Sequence, residues 1–414
     1  MRFKPYTKYK PSGVEWLGVV PEHWQPLKMK YLASIQNGKE YKDVETYGDG
    51  YPVIGSGGEF ATAVDYLYEG ESVLLGRKGT IDRPIYFNGA FWVVDTMFYT
   101  QIKKNVVPKY LYYCTTTIHF DYYSTSTALP SMTQRDLSGI LFAVPLYEEQ
   151  SAIASFLDRE TAKIDTLIAK QEKLIKLLKE KRQAMISHAV TKGLNPNAKM
   201  KDSGIEWLGE VPEHWEVNAL KRDFRVIGGS TPKSDYENYW DGSIIWVTPA
   251  DLSKLSSFKI DDSQRKITAD GLQSCGTTLV PCGSIILSTR APIGSLAIAD
   301  SELCTNQGCK ALVPGDNSNS HFYAYLLSVA TAELNNRGKG TTFLELSGDE
   351  LGSFKVTFPT ALEQSAIASF LDRESAKIDT LIAKAEQAIT LQKEHRTALI
   401  SAAVTGKIDV RKAA

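Results

Sequence analysis

The sequence contains EQSAIASFLDRETAKIDTLIAK at residues 149–170 and, 214 residues later, EQSAIASFLDRESAKIDTLIAK at residues 363–384. Twenty-one of the 22 positions are identical. Apolar residues recur at a seven-residue spacing in each copy, with a second series four positions later, and charged residues occupy most other positions. This pattern predicts a long amphipathic helix in each copy, about 40 residues or about 60 Å long.

Neither helix can bury such an apolar seam alone. We therefore expect the two copies to pack on each other as an antiparallel coiled coil around a pseudo-twofold axis. An alternative is that each helix docks on its own globular block. The predicted helix–helix seam consists of Leu157, Ile164, Ile168, Ile175, Leu178, Met185, Leu371, Ile378, Ile382, Ile389 and Leu399.

A second repeat precedes each helix at a distance. SGVEWLGVVPEHW at 12–24 returns as SGIEWLGEVPEHW at 203–215, with eleven of thirteen positions identical. The chain thus contains an internal duplication. The segments between the repeats, 25–148 and 216–362, look unlike each other. A protein that keeps its flanks and varies its inserts retains one scaffold and changes what each insert recognises. We predict globular domains at 1–147 and 195–362, a central helix at 148–194 and a C-terminal helix at 363–414.

The variable segments have the pattern of short strands joined by turns. Runs rich in β-branched and aromatic residues end in glycine or polar loops, and the fold class predicted is α+β with small, mostly antiparallel sheets. A faint kinship links the two segments, since Ser72-Val73-Leu74-Leu75 aligns with Ser284-Ile285-Ile286-Leu287. Lys78 then aligns with Arg290, which predicts a strand followed by a loop with a cation in both domains. The strand-like runs lie at 51–58, 72–80, 91–100, 244–252 and 284–294.

Composition and charge exclude several classes of protein. The chain has 414 residues, 43% of them hydrophobic and 23% charged, which are ordinary values for a folded protein. No run of about 20 apolar residues could span a bilayer, and no apolar segment follows the basic N-terminus as in a secretory signal. The five cysteines fit reduced thiols and predict a cytoplasmic protein. The net charge of −1 gives no hint of nucleic acid, and residues 200–362 carry 14 Lys and Arg against 20 Asp and Glu.

Few sequence patterns suggest catalysis. The sequence lacks GxGxxG, GxxxxGK[ST], GxSxG, HExxH and the tetrapeptide typical of aminomethyltransferases. His23 and His214 lie in the repeated PEHW motif, and each precedes a tryptophan. We interpret that motif as a packed structural element rather than as two catalytic sites. The spacing of the last four cysteines contains no CxxC pair, so no metal site is predicted.

The repeats and several longer strings resemble the specificity subunits of type I restriction-modification systems. The resemblance covers nearly the whole chain and is most specific in the linker and the helices, and less so in the first variable segment. It is carried by AVTKGLNPNAKMKDSGIEWLGEVPEHW at 189–215, GGSTPKSDYENYWDGSIIWVTPADL at 228–252 and TNQGCKALVP at 305–314.

The resemblance implies a non-catalytic subunit that recognises double-stranded DNA. Each of its two target recognition domains would bind one half of a bipartite, asymmetric target, and the paired helices would set the length of the spacer between the halves. The helices would also bind two methyltransferase subunits that carry S-adenosylmethionine and methylate adenine, and motor-nuclease subunits would join the full complex. No cofactor is expected on this chain.

Candidate DNA contacts follow from the chemistry of the loops. Base edges are bound by Arg, Lys, Asn, Gln, Ser or Thr, and phosphates accept hydrogen bonds from any cation or backbone N–H. Glycines beside Arg77–Lys78 and Arg337–Lys339 would let the backbone approach DNA closely. In the first domain the candidates are Lys39, Tyr41, Lys42, Arg77, Lys78, Ser131, Thr133, Gln134 and Arg135. In the second domain they are Thr231, Lys233, Arg290, Asn306, Gln307, Arg337, Lys339, Thr341 and Thr342.

Two other functions remain compatible with the sequence alone. One is a helical scaffold without DNA, which presents two protein-binding modules. Clustering of cations on one face of each variable segment would favour DNA over this scaffold. The other is a single-chain restriction enzyme, which the chain length and the missing motifs disfavour.

Overall fold

The computed structural model describes residues 4–122, 130–255, 257–290, 292–340 and 344–411, without the side chain of Asp121. Within these ranges the chain divides into two compact units. Unit 1 comprises 1–173 and 385–414, and unit 2 comprises 174–384. The helices are α1 (Pro108–Thr115), α2 (Gln134–Gly139), α3 (Tyr147–Lys192), α4 (Pro249–Leu252), α5 (Ala269–Gln273), α6 (Ser320–Val329), α7 (Thr331–Asn336), α8 (Gly348–Gly352) and α9 (Ala361–Val404).

Unit 1 is built around a mostly antiparallel sheet with the strand order β4-β10-β8-β9-β6-β7-β5. The pairs β1–β2 and β3–β11 lie outside it, and the pairing of β6 with β9 is parallel. The strands are β1 (Tyr9–Pro11), β2 (Val19–Pro21), β3 (Gln25–Lys28), β4 (Ala33–Asn37), β5 (Glu45–Thr46), β6 (Tyr51–Gly55), β7 (Gly58–Ala63), β8 (Tyr68–Gly76), β9 (Ile85–Val93), β10 (Met97–Ile102) and β11 (Leu141–Val144).

Unit 2 has a smaller main sheet, with the order β15-β22-β19-β20-β17, and a second sheet with the order β18-β16-β21. The pairs β12–β13 and β14–β23 correspond to the two outlying pairs of unit 1. The strands are β12 (Met200–Asp202), β13 (Glu210–Pro212), β14 (Glu216–Ala219), β15 (Phe224–Gly228), β16 (Trp240–Val247), β17 (Lys259–Ile260), β18 (Lys266–Ile267), β19 (Ile285–Ser288), β20 (Leu296–Ala299), β21 (Cys304–Thr305), β22 (Cys309–Pro314) and β23 (Lys355–Phe358).

In unit 1 the first part of α3 packs against the last part of α9. Leu157, Ile164 and Leu399 belong to one buried cluster that also contains Val73 and Leu75 of β8. The helices run antiparallel, because Arg411, just beyond α9, lies 3.7 Å from Glu149 near the start of α3, whereas Asp165 pairs with Arg396 at 2.9 Å. The two arrangements considered from sequence therefore occur together: the helix covers its own sheet and also meets the other helix.

Unit 2 repeats this arrangement with the helix halves exchanged. Leu371 of α9 packs into the core of the sheet with Ile285 and Leu287. Leu178 of α3 forms a separate buried cluster with Ile378 and Ile382 of α9. The α+β class, the mostly antiparallel sheets and the packed antiparallel helices predicted from the sequence are confirmed.

The predicted seam residues occupy two levels of burial. Buried residues, each at most 9% exposed, are Leu157, Ile164, Leu178, Leu371, Ile378, Ile382 and Leu399. Half-buried residues are Ile168, Ile175, Met185 and Ile389. The helices are longer than expected, with 46 residues in α3 and 44 in α9.

An exchanged ion pair marks the helix contact in each unit. Unit 1 pairs Asp165 with Arg396 at 2.9 Å, and unit 2 pairs Asp379 with Arg182 at 2.5 Å. Asp379 and Arg396 are the copies of Asp165 and Arg182 at the 214-residue offset. Each unit therefore combines an aspartate from one copy of the repeat with an arginine from the other.

The start of each long helix is fixed by the same glutamine. Gln150 accepts a hydrogen bond from the backbone N–H of Val107 at 2.9 Å and donates to the carbonyl of Pro145 at 3.0 Å. Gln364 makes the equivalent bonds with Asn319 at 2.8 Å and Pro359 at 2.9 Å. These bonds satisfy backbone groups in the loops that join sheet to helix.

The PEHW motif is a packed anchor, as interpreted from the sequence. Trp24 and Trp215 are buried, and the preceding histidines contact a glutamate at the start of a long helix. His23 Nε2 lies 2.8 Å from Glu149, and His214 Nε2 lies 2.8 Å from Glu363. Burial opposes ionisation of Glu363, but hydrogen bonds from His214, Thr360 and Trp215 outweigh it and hold the pKa of this carboxyl below its ordinary value.

Two strand-like runs differ from the expectation. The run at 91–100 is divided between the end of β9 and the start of β10, with a turn at Asp95–Thr96. The run at 244–252 ends as a strand at Val247, and Pro249–Leu252 is helical. A capping box between Thr248 and Asp251 stabilises that helical turn, and proline is favourable at its first position. Among the described residues, every helix is too short or too polar to cross a bilayer.

The burial pattern of the seam predicts that alanine substitutions at two leucines of α9 will differ greatly in their effect on the free energy of unfolding. Leu371 is fully buried, whereas Leu381 is 49% exposed. We expect Leu371→Ala to lower the free energy of unfolding by about 2–5 kcal/mol, because it leaves a cavity in the core. Leu381→Ala should change it by less than about 1 kcal/mol. Urea denaturation followed by circular dichroism measures both, and equal losses would contradict the seam.

Candidate nucleic-acid interface

Four loops of unit 1 meet at one end of its sheet. Backbone N–H groups of Arg77 and Lys78 donate to the carbonyl of Thr96 at 2.8 and 3.1 Å, and the N–H of Met132 donates to the carbonyl of Arg77 at 3.0 Å. The N–H of Lys39 donates to the carbonyl of Val93 at 2.9 Å. These bonds bring the loops at 37–39, 76–80, 93–97 and 130–135 together. We call them the unit 1 loop cluster.

The two strongest candidates of the first domain lie in this cluster. Arg77 is half-buried, and its guanidinium donates to the carbonyl of Asp95 at 3.3 Å, 5.9 Å from the ring of Phe98. Lys78 is exposed, and in the described part of the chain neither side chain forms an ion pair. Gly79 adopts a φ of 82°, which favours glycine at this turn. Both cations are thus available to an anionic partner.

The other candidates after β10 surround the start of α2. Lys78 and Ser131 form an isolated antiparallel bridge. Thr133 caps α2 and shares a capping box with Asp136, so its hydroxyl is engaged. Gln134 donates to the carbonyl of Ile35 at 2.6 Å, whereas Arg135 is exposed. Of Thr133, Gln134 and Arg135, Arg135 is therefore the one whose side chain has no hydrogen bond to another described residue.

Lys39, Tyr41 and Lys42 follow β4 at the edge of the cluster. Lys39 is exposed. Tyr41 packs edge-on against Phe60 with ring centroids 5.2 Å apart, and Lys42 lies 4.7 Å above the ring of Tyr41. Lys42 also pairs with Glu45 at 3.2 Å, and the hydrogen bonds to Tyr41 and Glu45 raise the pKa of Lys42 above its ordinary value.

Unit 2 contains the counterpart of this cluster. Leu346 donates its N–H to the carbonyl of Thr289 at 3.0 Å, as Met132 does to Arg77. Arg290 bridges Glu345, as Lys78 bridges Ser131. The alignment of Lys78 with Arg290 inferred from the sequence is therefore also a correspondence in hydrogen bonding. We call this set of loops the unit 2 loop cluster.

Two cations of the second cluster, Arg290 and Lys339, are paired with carboxylates. Arg290 donates to Glu345 at 2.6 Å, and Lys339 donates to Glu350 at 2.7 Å. The hydrogen bond and charge of Lys339 lower the pKa of Glu350. The guanidinium of Arg337 lies 5.1 Å from the ring of Phe354. A charge-assisted pair fixes the orientation of the Arg290 guanidinium. In unit 1, by contrast, the guanidinium of Arg77 donates to a backbone carbonyl and has no carboxylate partner among the described residues.

A second group of candidates lies beside β21. The hydroxyl of Thr231 donates to the side-chain oxygen of Gln307, and Asn306 accepts a hydrogen bond from the N–H of Gly308 at 2.9 Å. Lys233 is exposed, and its carbonyl accepts from the indole of Trp240 at 3.1 Å. The bond between Thr231 and Gln307 joins the loop after β15 to the loop after β21. Thr341 and Thr342 lie outside the described residues.

Sequence reasoning missed the acidic partners of the second cluster. Glu345 and Glu350 were not candidates, because the predicted contacts were cationic, amide and hydroxyl side chains. The sequence did contain a feature that could have pointed to these glutamates, because ELSGDE at 345–350 occupies the place of SMTQRD at 131–136 in the first domain. A glycine at the end of β4 was missed too. A side chain at Gly38 would collide with the carbonyl of Val94, and one at Gly229 with that of Asn306.

Unit 2 also has a cleft of about 690 Å³ beside α6. The charges that line it pair with one another, as Lys259 does with Asp300 at 2.8 Å and Arg182 with Asp379 at 2.5 Å. In the described ranges no group of three His, Cys, Asp or Glu side chains could hold a metal ion. Cys114, Cys304 and Cys309 are buried and Cys282 is exposed.

Comparison with known proteins matches both halves of the chain to one family. Residues 21–177 and 212–391 match the family model of the type I restriction modification DNA specificity domain. Over 166 residues the chain is 37% identical to the specificity subunit of the type I restriction enzyme MjaIX of Methanocaldococcus jannaschii. That match covers 40% of this chain and 38% of the relative, which is well under two thirds of its length.

Longer matches extend over most of the chain. The specificity subunit of the type I restriction enzyme EcoR124I/EcoR124II of Escherichia coli is 24% identical over 394 residues, covering 89% of this chain and 87% of that protein. A chain from a structure of the assembly and conformational transition of the type I restriction-modification system superposes with a TM-score of 0.73 at 16% identity. It covers 93% of this chain and 98% of its own length, and it establishes the likeness of the fold.

Proposed function

The chain belongs to the type I restriction-modification DNA specificity family, and on that premise we propose that it is the sequence-recognition subunit of such a complex. Each recognition domain binds one half of a bipartite, asymmetric DNA target. The two long helices set the spacer between the halves and bind two adenine methyltransferase subunits. The observation that carries this proposal is one hydrogen-bonded loop cluster built twice, with different side chains, on two different sheets.

The contents of the two clusters support recognition of two different half-sites. The first cluster offers Arg77 and Lys78 without carboxylate partners among the described residues, whereas the second holds Arg290 against Glu345. Guanidinium groups bind guanine edges, and a carboxylate accepts from the amino group of cytosine. Different donors and acceptors at equivalent places would select different bases, which an asymmetric target requires.

The helices support a fixed spacer. Domains that bind the same face of B-DNA have centres about 34–36 Å apart, or multiples of that distance. Helices of 46 and 44 residues are about 69 and 66 Å long, and their seam gives them a defined register. The distance between half-sites should therefore follow the length of the helices.

Exposed leucines on the helices support binding of two copies of one partner. The unit 1 leucine face consists of Leu167, Lys170, Ala388, Leu391 and His395. The unit 2 leucine face consists of Leu381, Lys384, Leu174, Leu177 and Lys181. Leucines of both faces are 44–56% exposed, although solvated helix surfaces are usually polar. Because the faces are equivalent by the 214-residue offset, we assign each to one methyltransferase subunit.

Catalysis is assigned to the partners. We propose that this chain binds no cofactor and that the methyltransferase subunits carry S-adenosylmethionine and methylate adenine. Motor-nuclease subunits would join the same complex for restriction. Support comes from the absence of the catalytic motifs named above from the sequence.

Methylation mapping tests the proposal as a whole. In cells that express this chain with its cognate methyltransferase, we expect adenine methylation at a split motif with a fixed gap. Methylation should disappear when this chain is omitted. A stable complex with no methylated motif would contradict the proposal and favour a helical scaffold.

Removal of one cation should affect one half-site. Lys78→Ala is expected to weaken binding to the target by about 1–3 kcal/mol and to relax discrimination within one half only. The control is Lys104→Ala, which removes the same charge from an exposed residue just beyond the opposite end of β10. Affinities of the assembled complex for duplexes altered in either half measure the effect. Equal weakening on every sequence would make Lys78 a phosphate contact.

Lengthening both helices should lengthen the spacer. One helical turn of four residues, inserted at equivalent places within 170–185 of α3 and 384–399 of α9, adds about 6 Å. The insertion is made in both helices so that α3 and α9 are lengthened by the same amount. An insertion in α3 alone would lengthen only one of them. Mapping should find both half-sites unchanged and a gap longer by about one or two base pairs. A changed half-site with an unchanged gap would contradict the role of the helices.

A further inference from the structure

Arg290 and Glu345 of the unit 2 loop cluster are held by their backbone as well as by their side chains. The residue before Arg290, Thr289, is fully buried and donates its N–H to the carbonyl of Gly308 at 2.8 Å. The carbonyl of Thr289 accepts a hydrogen bond from the N–H of Leu346 at 3.0 Å, and Leu346 is fully buried too. Each residue of the pair therefore adjoins a buried neighbour, and the two neighbours are bonded to each other.

Glu345 has backbone contacts on both of its edges. Its N–H donates to the carbonyl of Lys339, and its carbonyl accepts from the N–H of Lys339, both at 2.9 Å. A second antiparallel bridge joins Glu345 to Arg290. These contacts fix the backbone from which the carboxylate projects, so the carboxylate can act as a rigid support for another side chain.

The guanidinium of Arg290 is bonded at one nitrogen and open at the others. Its Nη2 donates to Oε2 of Glu345 at 2.6 Å, whereas Nε and Nη1 donate to no group in the part of the chain that the structure describes. The Arg290 side chain is 43% exposed. A guanidinium has five N–H donors in a planar fork, so the open donors can form two parallel hydrogen bonds. Two such bonds match O6 and N7 of guanine in the major groove.

The equivalent place in unit 1 has different chemistry. There the corresponding antiparallel bridge joins Lys78 and Ser131. Lysine carries a compact point charge without a planar fork, and serine carries no charge. The same backbone frame thus presents a supported guanidinium in unit 2 and an ammonium group in unit 1.

We propose that Arg290 and Glu345 together recognise one guanine in the half-site that unit 2 binds. Arg290 donates to the guanine, and Glu345 is the positioning residue that holds the guanidinium. This inference rests on the proposed function and adds to it the base that one residue selects. A side chain held in advance loses less conformational freedom on binding, and a bidentate contact discriminates against other bases by about ten- to a hundredfold.

The pair also separates base selection from general attraction to DNA. Salt-dependent affinity comes from cations that neutralise phosphates, and Glu345 compensates the charge of Arg290. Residues 200–362 carry 14 Lys and Arg against 20 Asp and Glu, so this domain needs a way to select a base without a net positive charge. Removal of the carboxylate alone should therefore increase attraction to any DNA and, at the same time, reduce discrimination.

Binding of the assembled complex to duplexes altered at each base pair of its target tests the role of Arg290. Substitution of one G·C pair, in the half-site that Lys78→Ala does not affect, should weaken binding of the unaltered protein by about ten- to a hundredfold. Arg290→Ala should abolish that difference and leave discrimination at the other positions intact. Equal weakening on every sequence would place Arg290 on a phosphate and overturn the inference.

Two substitutions of Glu345 test its positioning role. Glu345→Ala should reduce discrimination at the same G·C pair by about tenfold. Glu345→Gln should retain most of it, because the amide oxygen can still accept a hydrogen bond from the guanidinium. Unchanged discrimination in Glu345→Ala would overturn the positioning role.

Glu345→Ala should also produce a gain that a folding defect cannot imitate. The uncompensated guanidinium should tighten binding to unrelated DNA. The plot of the logarithm of the binding constant against the logarithm of salt concentration should become steeper by about 0.9 for this one cation. A folding defect would instead weaken binding to every sequence. Weaker binding to unrelated DNA would contradict the inference.

Asp300→Ala is the matched control for charge. Asp300 pairs with Lys259 at 2.8 Å, so its removal also leaves one cation of unit 2 without a carboxylate. Ile298 pairs with Ile285, which places Asp300 beyond the end of β19 that is remote from Arg290. Discrimination at the G·C pair should persist in this variant. Equal losses in Asp300→Ala and Glu345→Ala would overturn the inference.

Failure of the inference is distinct from failure of the proposed function. A split methylation motif whose recognition survives both Arg290→Ala and Glu345→Ala would overturn the inference and leave the recognition role standing. Absence of any methylated motif with the unaltered chain would overturn both.

Discussion

An amphipathic helix of more than forty residues cannot bury its apolar seam by itself, and this constraint determines the rest of the structure. Each half of α3 needs a partner, and that partner is the opposite half of α9. The ion pairs show the result, since Asp165 meets Arg396 in unit 1 and Asp379 meets Arg182 in unit 2. Each recognition domain is therefore completed by helix from the other copy of the repeat.

The helices fix the frame on which different sheets can be placed. Gln150 and Gln364 join the start of each helix to its domain with the same hydrogen bonds, and the PEHW histidines contact a glutamate in both. Between these anchors, unit 1 has one large main sheet, whereas unit 2 has two smaller sheets. The loop clusters keep their backbone hydrogen bonds in both cases. Variation of recognition thus leaves the positions of the loops intact.

Much of this could be predicted from the sequence because it is local or repeated. Heptad spacing indicated the seam between the helices. The alignment of the runs that begin at Ser72 and Ser284 showed that Lys78 and Arg290 occupy equivalent positions in the two domains. What could not be predicted depends on tertiary contacts. The pairing of Arg290 with Glu345 joins residues 55 positions apart, and the turn at Asp95 is set by strand pairing rather than by composition. The contact residues themselves remain predictions, since their roles depend on the shape of bound DNA.

Near identity of two copies usually suggests two equal halves, but the exchange of helix halves has a different consequence. Divergence between the copies is concentrated after residue 170 in α3 and after residue 384 in α9. Each unit receives one of these diverged segments, so any surface shared by both helix halves is partly common and partly specific to that unit. Leu167 and Leu381 are identical at the 214-residue offset, whereas Leu174 is matched by Ala388. Duplication therefore produced two helix pairs of one design, and divergence in half of each helix gave them different compositions.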